Sequence, residues 1–265
     1  MSNASFIERG KQFVIGMVHC LPLPGMPGFC GDMQKVMDQA VNDAIVLEKS
    51  GMDAVIVENM GDNPFGVVMD IEQSCALAVV SAHVAQSVKI PVGIDAAMND
   101  YKTSLSIAKA IGGVFVRIPV FVDTVEFYGG IINPCARQAM IFRKNLQAEN
   151  IKILADIQVK HTHMVLTHVT IEDSAKAAEA CGADGIIVTG THIGAETPIE
   201  IIQRVRKVTK LPLVAGSGVK TTNIREQLSI ADGTIVGSSL KEGGVIENPV
   251  SLELASDLIH ALRVG

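Results

Sequence analysis

The sequence lacks three features that would place it in common functional classes: paired cysteines, blocks of basic residues and long apolar runs. Its five cysteines are odd in number and form no CxxC pair, which argues against a disulfide framework and a zinc site. We expect free thiols in a reducing compartment. The chain has 22 lysines and arginines against 28 aspartates and glutamates, with no basic block, so nucleic acid is not an expected partner.

The apolar stretches are too short to cross a bilayer. The run from Val114 to Val122 is interrupted by Arg117 and is well below the required length. Residues 1–11 carry charges and no apolar core, which predicts that no signal peptide is present. We therefore expect a cytoplasmic protein without a transmembrane segment. Residues 1–12 are interpreted as an N-terminal extension that begins with possible tag residues at 2–4.

What the sequence does contain is a repeated strand–helix pattern. Of the 265 residues, 48% are hydrophobic and 24 are glycine, as is typical of strands buried on both faces. Short β-branched runs alternate with helical patterns, which indicates a parallel sheet. The predicted strands are 13–18, 54–58, 91–95, 114–118, 152–157, 185–189, 212–216 and 232–236. Eight such units predict a single-domain (β/α)8 barrel, the TIM-barrel fold, over residues 1–265.

The two halves of the chain resemble each other, which favours the barrel. Gly51–Val57 resembles Gly182–Val188, and Lys89–Val92 resembles Lys210–Leu213. The members of each pair are four units apart, as expected for two related half-barrels. The alternative is an open doubly wound sheet, but the chain has no dinucleotide-binding fingerprint.

Helix boundaries are predicted from capping patterns. Asp70–Gln73 and Thr197–Glu200 both match a capping box, and Pro198 takes the first helical position of the second. The first helix is predicted to end at Gly51. Its apolar face consists of Val36, Ala40, Ala44 and Leu47.

Polar residues collect where the predicted strands end. Active sites of α/β barrels lie at this end, and a polar group inside a barrel is costly to bury without a task. The opposite ends carry no such concentration. The residues are His19, Glu58, Asn59, Asp95, Arg117, Asp156, Lys160, His161, Thr189, Gly216–Gly218 and Gly237–Ser239.

Two glycine-rich loops predict a phosphate-binding site. Glycines after the last two strands let backbone N–H groups approach an anion closely, and a short helix after the eighth strand would add its positive end. Alternatively, the glycines only turn the chain. The predicted phosphate-binding residues are Gly216, Ser217, Gly218, Gly237, Ser238 and Ser239.

The fifth predicted strand supplies the strongest catalytic candidates. If the extended path continues, Asp156, Gln158 and Lys160 point to the same side. A carboxylate beside an ammonium lowers the pKa of the acid and raises that of the lysine, so an ion pair is expected rather than a neutral, Schiff-base-forming amine. The alternative is a structural salt bridge at the barrel mouth.

The other candidates fall into two groups. Further acid–base candidates are Glu58, Asp95 and His161. Candidates for substrate contact are His19, Asn59, Arg117 and Thr189. A divalent cation held by such side chains is an alternative, but the spacing forms no compact ligand motif, so no metal ligand is assigned and no cofactor is established.

The longest insertion at the active face runs from 119 to 134. It carries Phe121, Phe127, Tyr128 and two glycines at 129–130. It is interpreted either as a lid that excludes water or as an oligomer contact, and a homo-oligomer is expected.

Several blocks of the chain resemble the BtpA/SgcQ family over nearly its whole length. The blocks are Gly16–Gly25, Val57–Asn59, Asp62–Phe65, Pro91–Gly93, Leu154–Asp156, Val159–His161, Ala183–Gly190 and Ile235–Lys241. The resemblance implies a barrel similar to the ribulose-phosphate-binding class. It also implies a link to photosystem I biogenesis at thylakoid membranes, and so peripheral membrane association. The family usually has Asn where this chain has Asp95. A nucleoside triphosphatase label attached to some relatives finds no GxxxxGK[ST] loop here.

The leading hypothesis is an enzyme acting on a small phosphorylated metabolite such as a sugar phosphate or ribose phosphate. Acid–base residues opposite the phosphate loops suit an isomerase, an epimerase or a carbon–carbon lyase. One alternative is a non-catalytic assembly or regulatory factor. Another is a metal-dependent hydrolase that uses Glu58, Asp156 and His161.

Overall fold

The computed structural model describes residues 5–128, 130–190 and 196–264, in which strands and helices alternate. The strands are β1 (Phe13–His19), β2 (Ala54–Glu58), β3 (Val92–Asp95), β4 (Phe115–Ile118), β5 (Val125–Phe127), β6 (Gly130–Ile132), β7 (Lys152–Ile157), β8 (His163–Met164), β9 (Gly185–Val188), β10 (Leu213–Ala215) and β11 (Gly233–Val236). The helices are α1 (Met33–Ser50), α2 (Ile71–Ser87), α3 (Tyr101–Ile111), α4 (Ala136–Asn145), α5 (Ile171–Ala180), α6 (Ile199–Arg206), α7 (Ile224–Leu228) and α8 (Leu252–Arg263). The possible tag residues at 2–4 and the glycine at 129 lie outside the described residues.

Eight parallel strands close into a barrel in the order β1-β2-β3-β4-β7-β9-β10-β11. Closure is made by β1, which pairs with β2 on one side and with β11 on the other, with Phe13 opposite Gly233. The eight predicted strands are confirmed, and their ends agree to within one residue. The open doubly wound alternative is wrong, because the pairing of β1 with β11 closes the sheet and an open sheet has no such pairing.

Side chains alternate between the inside of the barrel and the layer of helices around it. Along β1, Phe13, Ile15 and Met17 belong to an inner apolar cluster, whereas Val14 and Val18 pack in the outer cluster beneath the helices. This period of two is the geometry of any extended strand. It also means that the next inward position on each strand lies at the barrel's carboxyl end.

The N-terminal segment closes the other end of the barrel. The ring of Phe6 packs edge-on against Phe13 at 5.5 Å and against Phe115 at 6.1 Å between centroids. Ile7 is fully buried in the inner cluster, and its carbonyl accepts a hydrogen bond from Lys152 Nζ at 2.6 Å. Residues 6–7 of the predicted extension therefore form the floor of the barrel.

Two glycines make room for the rings above this floor. A Cβ atom at Gly93 would lie 2.3 Å from the ring of Phe115, and one at Gly233 would lie 2.1 Å from the ring of Phe13. Such separations are far inside van der Waals contact, so these strands can pass the rings only without a side chain.

A small antiparallel sheet of β6, β5 and β8 is formed by the loops that follow β4 and β7. Phe121 and Phe127 are buried, so these two side chains are not exposed for an oligomer contact. Tyr128 is 62% exposed, and its hydroxyl accepts a hydrogen bond from the Phe65 backbone N–H at 2.6 Å. The insertion is thus ordered as a sheet that joins the loop after β2.

The predicted helix boundaries are confirmed in two cases and wrong in one. Helix α1 ends at Gly51 in the left-handed conformation, and the Gln73 side chain accepts from the Asp70 N–H at the start of α2. At α6 the Thr197 hydroxyl donates instead to the Val188 carbonyl of β9, and Pro198 precedes the helix. Thr197 therefore ties the helix to the barrel and does not cap it.

A buried ion pair attaches the loop after β11 to helix α1. Lys241 Nζ lies 3.1 Å from Asp43 Oδ2, and both side chains are almost fully buried. Lys241 also donates to the Asn248 carbonyl at 2.7 Å, while Asp43 Oδ1 accepts from the Val250 N–H at 2.8 Å. The pair fixes the loop that begins with Ser238 and Ser239.

Replacing Lys241 by methionine should destabilise the protein by about 3–5 kcal/mol, because Asp43 is then a buried carboxylate without its counter-charge. The free energy of unfolding in urea measures the effect. Lys35→Met, on the exposed face of α1, is the matched control. The double variant Asp43→Asn/Lys241→Met should recover part of the loss, and a loss below about 1 kcal/mol in the single variant would contradict the role given to the pair.

Candidate functional site

The inward position at the carboxyl end of each barrel strand forms what we call the mouth layer. On β1, β2, β4, β7 and β11 this position lies two residues after an apolar residue of the inner cluster. His19 lies two residues after Met17, and Glu58 lies two residues after Ile56. The layer therefore results from the same strand period that builds the core. Its members are His19, Glu58, Asp95, Arg117, Asp156, Thr189, Gly216 and Gly237.

Arg117 is the cation at the centre of the mouth layer. Its Nε and one terminal nitrogen donate to the two oxygens of Asp156, both at 2.8 Å, and its other terminal nitrogen lies 3.4 Å from Asp95 Oδ2. All three residues are buried. Burial opposes the charge of the guanidinium, but Asp156, Asp95 and Glu58 outweigh it and raise the pKa of Arg117 above its ordinary value.

The predicted ion pair between Asp156 and Lys160 is wrong. Strand β7 ends at Ile157, and Gln158 adopts a left-handed conformation with φ of 46°. The Gln158 N–H donates to Asp123 Oδ2 at 2.7 Å, which turns the chain out of the extended path. Alternation therefore stops at Asp156, whose carboxylate is bound by Arg117.

The Lys160 side chain lines the cavity and forms no ion pair with another described residue. Among the described residues its Nζ makes no hydrogen bond and no salt bridge, while its backbone N–H donates to Thr189 Oγ1 at 2.9 Å. Burial and the neighbouring Arg117 lower the pKa of Lys160, against the opposing effects of Glu58, Asp156 and Asp95. The sequence predicted a raised pKa, so this direction is a correction.

Three neighbouring strands place His19, Glu58 and Asp95 side by side. His19 pairs in register with Glu58, and Glu58 with Asp95. His19 Nε2 lies 3.5 Å from Glu58 Oε2, and His19 Nδ1 is buried without a hydrogen-bond partner among the described residues. Burial, followed by Lys241, Lys160 and Arg117, lowers the pKa of His19 to about 3, so the ring is neutral at physiological pH.

The two carboxyl groups of this row hold protons more tightly than exposed acids do. Burial raises the pKa of Glu58, although Arg117 and Lys160 oppose the rise. Burial and the adjacent Glu58 raise the pKa of Asp95 well above its usual range. Neither oxygen of Asp95 makes a hydrogen bond with a described residue, since the contact to Arg117 is an ion pair without hydrogen-bond geometry. A carboxyl group with a raised pKa exchanges its proton at a higher pH than an exposed acid does, which is the direction that acid–base catalysis requires.

The two glycine-rich loops converge on the same cavity as these side chains. The backbone N–H groups of Gly218, Val219, Ser238 and Ser239 donate to no acceptor among the described residues. Backbone donors in folded proteins are nearly always paired, so four open ones at one cavity mark a place for an acceptor. The predicted short helix after the last strand is a single 3₁₀ turn, Ser238–Leu240.

The serine hydroxyls differ in what they contact. Ser217 Oγ accepts from the Gly190 N–H at 2.9 Å, and Ser239 Oγ donates to the Val219 carbonyl at 2.7 Å. These contacts join neighbouring loops of the mouth. The Ser238 hydroxyl makes no hydrogen bond with a described residue and lines the cavity.

The loop glycines at the strand ends are also sterically required. A Cβ at Gly216 would lie 2.7 Å from Ile187 Cγ2, and one at Gly237 would lie 2.7 Å from His19 Cε1. Both glycines therefore let the loops pass close to side chains of the barrel interior.

One cavity brings most of the predicted site residues together. It contains about 920 Å³ of non-protein space, including its open mouth. Predicted residues that line it are His19, Glu58, Asp95, Arg117, Lys160, His161, Gly216, Ser217, Gly218, Gly237, Ser238 and Ser239. Three others do not line it: Asp156 binds Arg117, Thr189 holds the backbone of Lys160, and the Asn59 amide bridges Asp62 and Ala97.

The sequence-based prediction missed the apolar wall of the cavity and one supporting acid. The wall includes Phe65, Met98, Val159 and Ile246, whose apolar side chains gave no sign of a place in the site. Asp123 accepts from the Gln158 N–H and from the Ser174 hydroxyl, and so holds the turn before Lys160. Only its position in the insertion after β4 could have pointed to it.

The described residues bear on two of the alternatives, the metal-dependent hydrolase and the membrane-associated protein. No group of three or more histidines, cysteines, aspartates and glutamates among them is arranged to hold a metal ion. The metal-dependent hydrolase hypothesis therefore has no assembled ligand set in the described part of the chain. In that same part, none of the helices has the length and apolar character of a membrane span.

The chain is similar over nearly its whole length to proteins of one family. The model of the BtpA family matches residues 10–263. An uncharacterised protein of Pyrococcus furiosus is 40% identical over 256 residues, 96% of this chain and 96% of its own. The photosystem I biogenesis protein BtpA of Synechocystis is 32% identical over 254 residues, 95% of this chain and 88% of its own.

Solved structures share the architecture. N-(5′-phosphoribosyl)anthranilate isomerase from Pyrococcus furiosus matches with a TM-score of 0.59 and 11% identity, over 96% of this chain and 100% of that one. At this identity the likeness shows the fold alone.

Replacing Asp95 by asparagine should stabilise the protein at pH 8 and have less effect at pH 5. The folded-state pKa of Asp95 is raised, so its contribution to stability is complete below the unfolded pKa of about 4 and is lost as the pH rises toward the folded pKa. Asparagine removes that loss, and Arg117 keeps Asp156 as its partner. Urea unfolding at both pH values measures the difference, which is expected to be larger at pH 8 than at pH 5.

Asp257→Asn on the exposed face of α8 is the control and should show no such pH dependence. A wild-type protein that is as stable as Asp95→Asn at pH 8 would show that the Asp95 pKa is not raised.

Proposed function

The chain belongs to the BtpA family, and we propose that it binds a small phosphorylated metabolite, a sugar phosphate or a related ribose phosphate, at the carboxyl end of its barrel. We propose further that it catalyses proton transfer on this ligand, as an isomerase, an epimerase or a lyase. One observation carries the proposal. Four backbone N–H groups that donate to no acceptor among the described residues lie at one cavity with two carboxyl groups whose pKa values are raised.

The phosphate end of the ligand is assigned to the loops after β10 and β11. Phosphate oxygens accept several hydrogen bonds at once, and the N–H groups of Gly218, Val219, Ser238 and Ser239 supply donors that need no side-chain rearrangement. Barrels of this architecture frequently bind phosphate at the loops after their last two strands. The name of the phosphoribosylanthranilate isomerase above, a protein of the same fold, is in keeping with such a ligand.

The reacting end is assigned to the row formed by His19, Glu58 and Asp95. A proton next to a carbonyl is removed most effectively by a base whose pKa lies near the working pH, and burial raises the pKa of both carboxyl groups in that direction. The charge that develops on the carbonyl oxygen would be stabilised by Arg117, which stays protonated because Asp156 binds it. Neutral His19 can donate or accept a hydrogen bond there.

The apolar wall gives these charges a surrounding of low polarity. Phe65, Met98 and Val159 line the same cavity, and such walls exclude water and strengthen electrostatic interactions.

A second candidate function is a non-catalytic assembly role. It is favoured by the name of the Synechocystis relative, a photosystem I biogenesis protein. Exposed apolar side chains on the loops after β2 and β4 also suit a partner surface, namely Val68 and Ile71 together with Tyr128 and Ile131. A protein with this role alone would work in the cell without an acid–base residue, so the Glu58 variant described below separates the two functions.

Replacing Ser238 by aspartate should weaken phosphate binding at least tenfold, or about 1.4 kcal/mol, because a carboxylate then occupies the anion site. Ser238→Asn is the matched control, of the same shape but without charge, and it should retain most of the affinity. Calorimetric titration with inorganic phosphate and with glycerol 3-phosphate measures the effect. Equal affinities in the two variants would place the anion elsewhere.

Replacing Glu58 by glutamine should slow deuterium exchange from solvent into a phosphorylated carbonyl substrate by about 10²–10⁴-fold, because the amide cannot accept the proton. Mass spectrometry of dihydroxyacetone phosphate or ribose 5-phosphate incubated in heavy water gives the rate. Glu253→Gln on the exposed face of α8 is the control. Undiminished exchange in Glu58→Gln would contradict the role of this carboxyl group.

A further inference from the structure

We propose that Lys160 is the nucleophile of this cavity and that its amine forms an imine with the carbonyl carbon of a phosphorylated aldehyde or ketone. The inference rests on the proposed function, since the phosphate group would hold the carbonyl carbon near Lys160. It narrows the ligand from phosphorylated metabolites in general to those that carry a free carbonyl group.

The carboxyl groups of the mouth layer are paired with Arg117 and His19 and not with Lys160. Three carboxyl groups surround two cations, but Arg117 takes both oxygens of Asp156 and reaches Asp95 at 3.4 Å. Glu58 lies beside His19. Within the described residues, no carboxylate is left in contact with Lys160 Nζ, although Glu58, Asp95 and Asp156 are all near enough to act on it through space. A lysine kept only for structural charge balance would be expected to contact one of them.

The backbone of Lys160 is held by hydrogen bonds on both sides. Asp123 accepts the Gln158 N–H at 2.7 Å on one side, and Thr189 accepts the Lys160 N–H at 2.9 Å on the other. Asp123 is itself fixed by the Ser174 hydroxyl at 2.6 Å. The backbone is therefore set by contacts from three different parts of the chain, while the Lys160 side chain lines the cavity and its amine has no partner among the described residues.

The surroundings of the Lys160 amine favour its neutral form more than water does. Burial and the nearby guanidinium of Arg117 both lower the pKa of Lys160, so more of it is neutral near pH 7 than of an exposed lysine. Glu58, Asp95 and Asp156 oppose this effect, and His19 adds no charge because it is neutral. Removal from water and a cationic neighbour are the two conditions that make a lysine amine nucleophilic.

The step is balanced by the carboxyl groups already present. Neutral Nζ adds to the carbonyl carbon, and the carbonyl oxygen takes a proton from a protonated carboxyl group, Glu58 or Asp95. The resulting carboxylate removes one hydrogen from nitrogen, which gives a carbinolamine. The same carboxyl group then protonates the hydroxyl, water leaves, and the nitrogen lone pair closes the C=N bond. One carbonyl and one amine thus yield a protonated imine, one water and a carboxylate.

Reduction with borohydride tests the proposal, because hydride converts an imine into a stable secondary amine. The wild-type chain is incubated with glyceraldehyde 3-phosphate, erythrose 4-phosphate or ribose 5-phosphate and reduced, and the adduct is located by mass spectrometry of peptides. We expect an adduct on Lys160 at least tenfold more abundant than with the unphosphorylated aldose. Lys207→Arg, at an exposed lysine just after α6, should leave it unchanged.

Lys160→Arg separates charge from nucleophilicity, because the guanidinium keeps the positive charge but forms no imine. It should lose the adduct and still bind glycerol 3-phosphate, which has no carbonyl group; Lys160→Met should also lose the adduct. Wild-type protein that binds glycerol 3-phosphate but forms no Lys160 adduct with any of the three aldose phosphates would overturn the imine proposal and leave the phosphate site standing. Failure of the wild-type protein to bind glycerol 3-phosphate would instead count against the proposed function.

Discussion

The arrangement of the mouth layer depends on one buried interaction, the two-point contact between Arg117 and Asp156. Arg117 neutralises Asp156 and extends to Asp95, and its charge opposes the rise that burial causes in the pKa of Glu58 and of Asp95. The same charge adds to the effect of burial in lowering the pKa of His19 and of Lys160. One ion pair thus acts on the protonation of four neighbouring groups.

The fold and most of the site could be predicted because both follow from one regularity. Strand residues alternate, so the inner position after Met17 on β1 has to be His19, and the one after Ile56 on β2 has to be Glu58. Reading polar residues at the strand ends therefore recovered the mouth layer. The glycine loops were recognisable because they follow the last two strands of the barrel.

What the sequence did not reveal were contacts between residues far apart in the chain. Alternation predicted that Lys160 would lie beside Asp156, but Asp123, 35 positions before Gln158, captures the Gln158 N–H and turns the backbone. Thr197 matched a capping pattern, yet its hydroxyl donates to the carbonyl of Val188 and accepts no hydrogen bond from the first turn of α6. In both cases a hydrogen bond to a residue distant in the chain overrode the local sequence pattern. A single sequence does not show which distant residue will form such a bond.

The floor made by Phe6 and Ile7 has a consequence for molecular traffic. With the amino-terminal end of the barrel filled by apolar side chains, a small molecule reaches the mouth layer from the opposite end. A product of the proposed reaction would have to leave by that same end. Substrate and product would then share one passage, and a bound product would block the entry of the next substrate.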